Sequence, residues 1–202
     1  MNVPLCFLFF LNAYLLGSIP FGLLVAKRVK GIDIRQHGSK NTGATNVFRV
    51  VGKKWGFLVL FLDALKGALA VLVPALLFPE TSFGLKAFFA ATAILGHSFS
   101  FWIAWKGGKG VATSLGVFMA LAPLATLTTL AGWILVFILS RTISIASLAA
   151  ALIFPLVVLL FFRGSVEFPI LFPLSIVLGA FIFYTHRANI GRILKGEEKK
   201  LI

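Results

Sequence analysis

Acidic residues are scarce in this chain. Asp and Glu number 6 in 202 residues against 19 Lys and Arg, for a formal net charge of +13. The six are dispersed, with Glu197 and Glu198 on the C-terminal tail. No carboxylate cluster could hold a magnesium pair, which argues against metal-dependent phosphotransfer and against any metal site. Cysteine is almost absent. Cys6 stands alone in the first apolar run, so an intrachain disulfide and a Cys-rich metal centre are both excluded. Basic residues interleaved with aromatics are also missing, so the positive charge does not read as a nucleic-acid surface. The N-terminal run has neither a cationic leader nor a small-residue cleavage pattern, and reads as a retained helix.

Apolar residues are abundant. They make up 59% of the chain, with a mean hydropathy of +1.02, well above a soluble domain of this size. They fall in runs near 4–26, 55–78, 84–105, 111–125, 127–140, 143–162 and 167–185. A bilayer core takes about 20 helical residues. Pro123, after Ala122, predicts a break between the two short runs. The expected fold is therefore an all-α integral membrane protein, a bundle of seven transmembrane helices with the N-terminus outside and the C-terminus cytoplasmic. Orientation rests on the basic residues. Lys86 and Arg163 fall at outer connections and Lys66 lies deep in the second run, while the remaining sixteen Lys and Arg line inner segments. No internal repeat or soluble module interrupts the pattern, so residues 1–202 read as a single membrane-embedded domain.

Three inner segments carry chemistry suited to phosphate. The first contains Gly38-Ser-Lys-Asn-Thr-Gly-Ala-Thr-Asn, a turn entering a helix with Ser39 or Asn41 expected at the N-cap. Thr42, Thr45, Asn46 and Arg49 follow at helical spacing on one face, and the Arg49 fork suits a phosphate. A solvated interfacial helix would show the same spacing. The loop is not a Walker A motif, because Ala44 and Thr45 stand where Lys and Ser/Thr are required. The second segment sets Lys106 and Lys109 around paired glycines. Lys109, between Gly108 and Gly110, is the better ligand, and Lys106 beside Trp105 reads as a membrane-surface anchor. In the third, Ser144 lies nearer the inner end than Ser147. At the C-terminal end His186, Asn189 and Arg192 share a face. His97 reads as a structural histidine, and Asp63 with Lys66, three residues apart in an apolar run, as a buried ion pair beneath the site. His37, His97 and His186 are followed at the fifth position by Thr42, Trp102 and Gly191, so the H-x-x-x-x-D signature of the common glycerolipid acyltransferases is absent. A transporter of phosphorylated metabolites would share the basic loops, although repeats and midplane helix breaks are the usual marks of carriers.

Taken in order, Gly17-Ser-Ile-Pro-Phe-Gly, Gly38-Ser-Lys-Asn-Thr-Gly-Ala-Thr-Asn-Val with Arg49, Leu62-Asp-Ala-Leu-Lys-Gly, Gly96-His-Ser, Lys106-Gly-Gly-Lys-Gly-Val-Ala-Thr and His186-Arg-Ala-Asn-Ile with Arg192 resemble the bacterial acyl-phosphate:glycerol-3-phosphate acyltransferases, the PlsY family. The resemblance spans nearly the whole chain. It implies a seven-helix, cytoplasm-facing enzyme that moves a fatty acyl group from acyl phosphate to the sn-1 hydroxyl of glycerol 3-phosphate, in phospholipid biosynthesis at the bacterial inner membrane. Its partners are those two substrates and membrane lipid, with no cofactor and no metal. The family's pattern carries over to Ser39, Asn46, Arg49, Lys109, Ser144, His186 and Asn189. With Asn41, Thr45 and Gly108 from the same loops, the expected phosphate-binding set is Ser39, Asn41, Thr45, Asn46, Arg49 and Gly108. The expected catalytic set is Lys109, Ser144, His186 and Asn189. Lys40 stands where a small residue is commoner, and its role is left open.

Overall fold

The first apolar run folds as two helices rather than one. In the computed structural model, which describes residues 2–201, α1 (Val3–Ser18) begins where the Asn2 side chain accepts the Leu5 amide at 3.1 Å. It stops before Ile19-Pro20, because proline has no N–H to continue the ladder and its ring crowds the preceding turn. α2 (Phe21–Lys30) then ends at Gly31, whose φ of +67° is the left-handed conformation that glycine adopts without a Cβ penalty. Among the described residues all regular structure is helical.

Residues up to Leu121 form one compact unit and those from Ala122 a second. In the first unit, α3 (Ala44–Val50) leads through Gly52 into α4 (Lys53–Leu77), followed by α5 (Phe83–Ser98) and α6 (Val111–Leu121). Two helix pairs dominate, α1 with α5 and α4 with α6. Both depend on glycine at the contact. A Cβ on Gly17 would land on the Ala93 carbonyl and one on Gly96 on the Tyr14 carbonyl. One on Gly67 would meet the Thr113 carbonyl and one on Gly116 the Ala64 carbonyl. Bare backbone at these points lets the helices approach closely, which replaces the hydrophobic drive that lipid does not supply. Beneath the 31–43 loop, Ala26, Ile34, Val47, Val51 and Val59 make a small core that seats α2, α3 and the start of α4.

In the second unit, α7 (Pro123–Ser140), α8 (Ile143–Phe162), α9 (Phe168–Thr185) and the short basic α10 (Arg187–Leu194) follow one another. The break at Pro123 falls where expected: α6 ends at Leu121, and the proline occupies the first turn of α7, where its missing N–H has no partner to lose. Arg141, at φ +56°, reverses the chain into α8.

Among the described residues, five segments are long and apolar enough to cross a membrane: Val3–Lys30, α4, α7, α8 and α9. Leu76, Leu139 and Leu160 are about three-quarters exposed, an arrangement that suits hydrocarbon as the surrounding medium rather than water.

Candidate active site

In the first unit the 31–43 loop is organised by Asn46. Its Oδ1 accepts the Ser39 amide at 2.9 Å, and its Nδ2 donates to the carbonyls of Ile34, His37 and Asn41 at 3.2, 3.0 and 2.8 Å. The side chain is 1% exposed. Its amide is therefore committed to the loop backbone, and Asn46 shapes the turn that displays Ser39. Around Ser39 the loop passes through two left-handed residues, Gly38 at φ +60° and Lys40 at φ +58°. Lysine is uncommon in that region, and this conformation is what the structure adds on Lys40. At the loop's entry, Asp33 accepts from the Arg35 side chain and amide, and these contacts hold its carboxyl down to about 2.

The expected helix start is corrected. α3 begins at Ala44 behind Gly43, not behind Ser39 or Asn41, and no side chain caps it. Asn41 Oδ1 instead accepts the Gly43 amide at 2.8 Å, in the short-range turn that Asn favours. Thr42 consequently lies outside the helix, while Thr45, Asn46 and Arg49 ride on it. Seven residues of helix supply little dipole, so anion binding here falls to side chains and loop amides. Ser39 is exposed, and Thr45 and Arg49 are half-buried.

The Gly107-Gly108-Lys109 turn of the same unit is tied to the end of α5. The Gly107 amide donates to Ser98 O and the Gly108 amide to His97 O, each at 3.0 Å. Gly108 is buried against the His97 ring, and Lys109 is half-buried. The expected ion pair is present: Lys66 Nζ lies 2.7 Å from Asp63 Oδ1, with each side chain 2% exposed, and the ammonium also donates to Ile19 O at 2.7 Å.

In the second unit Ser144 and Asn189 come together around a group the sequence reading left on the tail. Glu198 Oε1 accepts from Ser144 Oγ at 2.7 Å and from Asn189 Nδ2 at 2.5 Å, and Oε2 accepts from Arg192 Nε at 2.6 Å. Burial of the Glu198 carboxyl pushes its pKa up, but the hydrogen bonds from Ser144, Arg192 and Asn189 outweigh this and hold it below the usual value. The signal in the sequence was Gly196. At φ +70° it turns the chain back after α10, and the returning tail closes with the Leu201 amide on Arg141 O at 2.9 Å. His186 is 3% exposed, with Nδ1 2.8 Å from Ile182 O. A carbonyl only accepts, so Nδ1 is the donor in this contact. Ser147, passed over in favour of Ser144, accepts from Trp133 Nε1 at 3.4 Å.

Residues 7–196 match the family described as glycerol-3-phosphate acyltransferase. Proteins of that name from Fusobacterium nucleatum and Geobacillus kaustophilus are 42% and 46% identical over 194 residues, covering 96% of this chain and 97% and 95% of theirs. The crystal structure of PlsY, an integral membrane glycerol 3-phosphate acyltransferase, in its glycerol 3-phosphate form has a TM-score of 0.87 at 42% identity, covering 96% of this chain and 94% of that one. The lysophosphatidic acid form gives 0.85 at 41% identity.

Proposed function

The chain belongs to the glycerol-3-phosphate acyltransferase family, and on that footing we propose that it transfers a fatty acyl group from acyl phosphate to the sn-1 hydroxyl of glycerol 3-phosphate, releasing lysophosphatidic acid and phosphate. The observation that carries this is the full-length match to PlsY in a glycerol 3-phosphate form, joined to basic, glycine-rich turns suited to phosphate.

Acyl phosphate is a mixed anhydride and already activated, so positioning and charge neutralisation suffice and no covalent nucleophile is needed. Arg49, Ser39, Thr45 and the loop amides hold the phosphate of glycerol 3-phosphate, with Asn41 and Asn46 keeping the loop in shape. The sn-1 oxygen attacks the acyl carbonyl carbon. As the bond from that carbon to the phosphate oxygen breaks, Lys109 neutralises the departing phosphate and the oxyanion, and Gly108 gives the backbone close access. The hydroxyl proton passes to His186 Nε2. Support for that step is the Nδ1 contact to Ile182 O, which sets the tautomer. Ser144 and Asn189 orient the acceptor. Residues 1–202 act as one acyltransferase domain in the bacterial inner membrane. Its seven spans are the five long segments together with α5 and α6; the N-terminus lies outside and the basic loops face the cytoplasm.

The test is phosphate release from palmitoyl phosphate by the purified, detergent-solubilised protein, with and without glycerol 3-phosphate. Release that depends on glycerol 3-phosphate, with a raised KM for it in Arg49→Ala, is the expected result. Acylation from acyl-CoA or acyl carrier protein alone would discard the donor, and no acylation from any donor would sink the reading.

A further inference from the structure

His97 is a buried titratable group that the reaction above does not use. Three observations connect it to Lys109. The carbonyls of His97 and Ser98, at the last turn of α5, accept the amides of Gly108 and Gly107 at 3.0 Å, so the turn that carries Lys109 is anchored on this residue pair. The imidazole itself forms the floor of the turn, and a Cβ on Gly108 would collide with Nε2 and crowd Cε1 at 2.9 Å. On its other edge, His97 Nδ1 lies 3.5 Å from Asp63 Oδ1, the oxygen that Lys66 Nζ approaches to 2.7 Å. Asp63 Oδ1 is buried and has no well-aligned hydrogen bond to either Lys66 or His97. The carboxylate therefore sits between the ammonium and the imidazole. Any rotation of the ring away from Gly108 also moves Nδ1 off Asp63 and leaves a buried charge less compensated.

We propose that Asp63 and His97 form a brace from α4 through α5 to the Gly107-Gly108-Lys109 turn, and that His97 is a positioning residue setting where the Lys109 ammonium stands. This rests on the reading of Lys109 as the group that neutralises phosphate. A tight ring-to-glycine contact transmits position because packed groups do not yield without a cost. An imidazole needed only to fill space would act on stability equally in any background.

The experiment is a double-mutant cycle on the purified enzyme. Wild-type phosphate release from palmitoyl phosphate, dependent on glycerol 3-phosphate, comes first; its absence would sink the functional reading rather than the brace. His97→Ala, Lys109→Arg and the double variant are then compared in kcat/KM, with thermal unfolding in detergent followed for each. The expected result is a loss of about tenfold for His97→Ala that largely disappears when Lys109 is already Arg, because groups acting through one another are not additive. Equal loss in both backgrounds, or wild-type kinetics in His97→Ala, overturns the proposal, as does wild-type turnover in Lys109→Arg. Should His97→Ala fail to fold, Gly108→Ala drives the same ring from the same place. Wild-type kinetics there, or a loss that multiplies with that of Lys109→Arg, overturns it equally.

Discussion

Replacing Asn46 by Ala removes the hub of the 31–43 loop. One amide group with two hydrogens serves three carbonyls, at 2.8 to 3.2 Å, and one oxygen serves the Ser39 amide. Counting one contact as shared, about three net hydrogen bonds are lost. At about 1 kcal/mol each, this loosens the loop by about 3 kcal/mol. A shift of that size lowers the ordered fraction by about two decades when the loop is only marginally stable, at about 1.4 kcal/mol per decade. The helix pairs α1–α5 and α4–α6 make none of these bonds, so the melting temperature should fall far less than the loop's stability. The assay is hydrogen exchange over residues 34–43 beside steady-state kinetics: exchange should accelerate there, and KM for glycerol 3-phosphate should rise at least tenfold. Asn46→Leu, which keeps the volume, should behave alike. Protection of the loop unchanged in both variants, with a raised KM, would mean that Asn46 touches the ligand directly, and the reasoning would be refuted.

Glu198→Ala should destabilise the protein by about 3 kcal/mol, since three donors lose one acceptor, and Glu198→Gln by less; thermal unfolding in detergent measures both. Because the folded pKa of Glu198 is depressed, its stabilisation is complete above the unfolded value of about 4.3 and is lost as pH falls through the lower folded one. An acid unfolding midpoint that is the same in wild type and Glu198→Gln would contradict this. Gly116→Val should unfold readily, since its side chain meets the Ala64 carbonyl, whereas Gly191→Ala, with nothing within 4 Å, should be neutral or gain about 1 kcal/mol of helix propensity. His186→Gln should lower kcat about a hundredfold with little change in KM, and near-full turnover would assign the proton to a phosphate oxygen instead.

Membrane character, helical class and the break before α7 were legible in the sequence because each depends on local chemistry: run length, apolar content, and a proline without an N–H. The glycine-rich basic segments were legible as turns for the same reason. The start of α3 was misjudged because Asn41, a good cap by type, spends its oxygen on the Gly43 amide two residues away. That choice is made by the loop's path. The part played by Asn46 was half legible: its place beside the glycine-rich loop was, but its commitment to four backbone groups was not, because all four lie five to twelve residues earlier in the chain.

By itself, then, the sequence determined the helical membrane character of the chain, the polar residues its loops carry, and the acyltransferase family to which it belongs. The tertiary structure alone decided the company those residues keep. Glu198 reads as tail in sequence and stands on Ser144, Asn189 and Arg192 in space. His97 reads as one polar residue in an apolar helix and lies between Asp63 and the Lys109 turn. The reason is physical: a buried charge must find partners wherever the chain can bring them, and sequence distance sets no limit on where they come from.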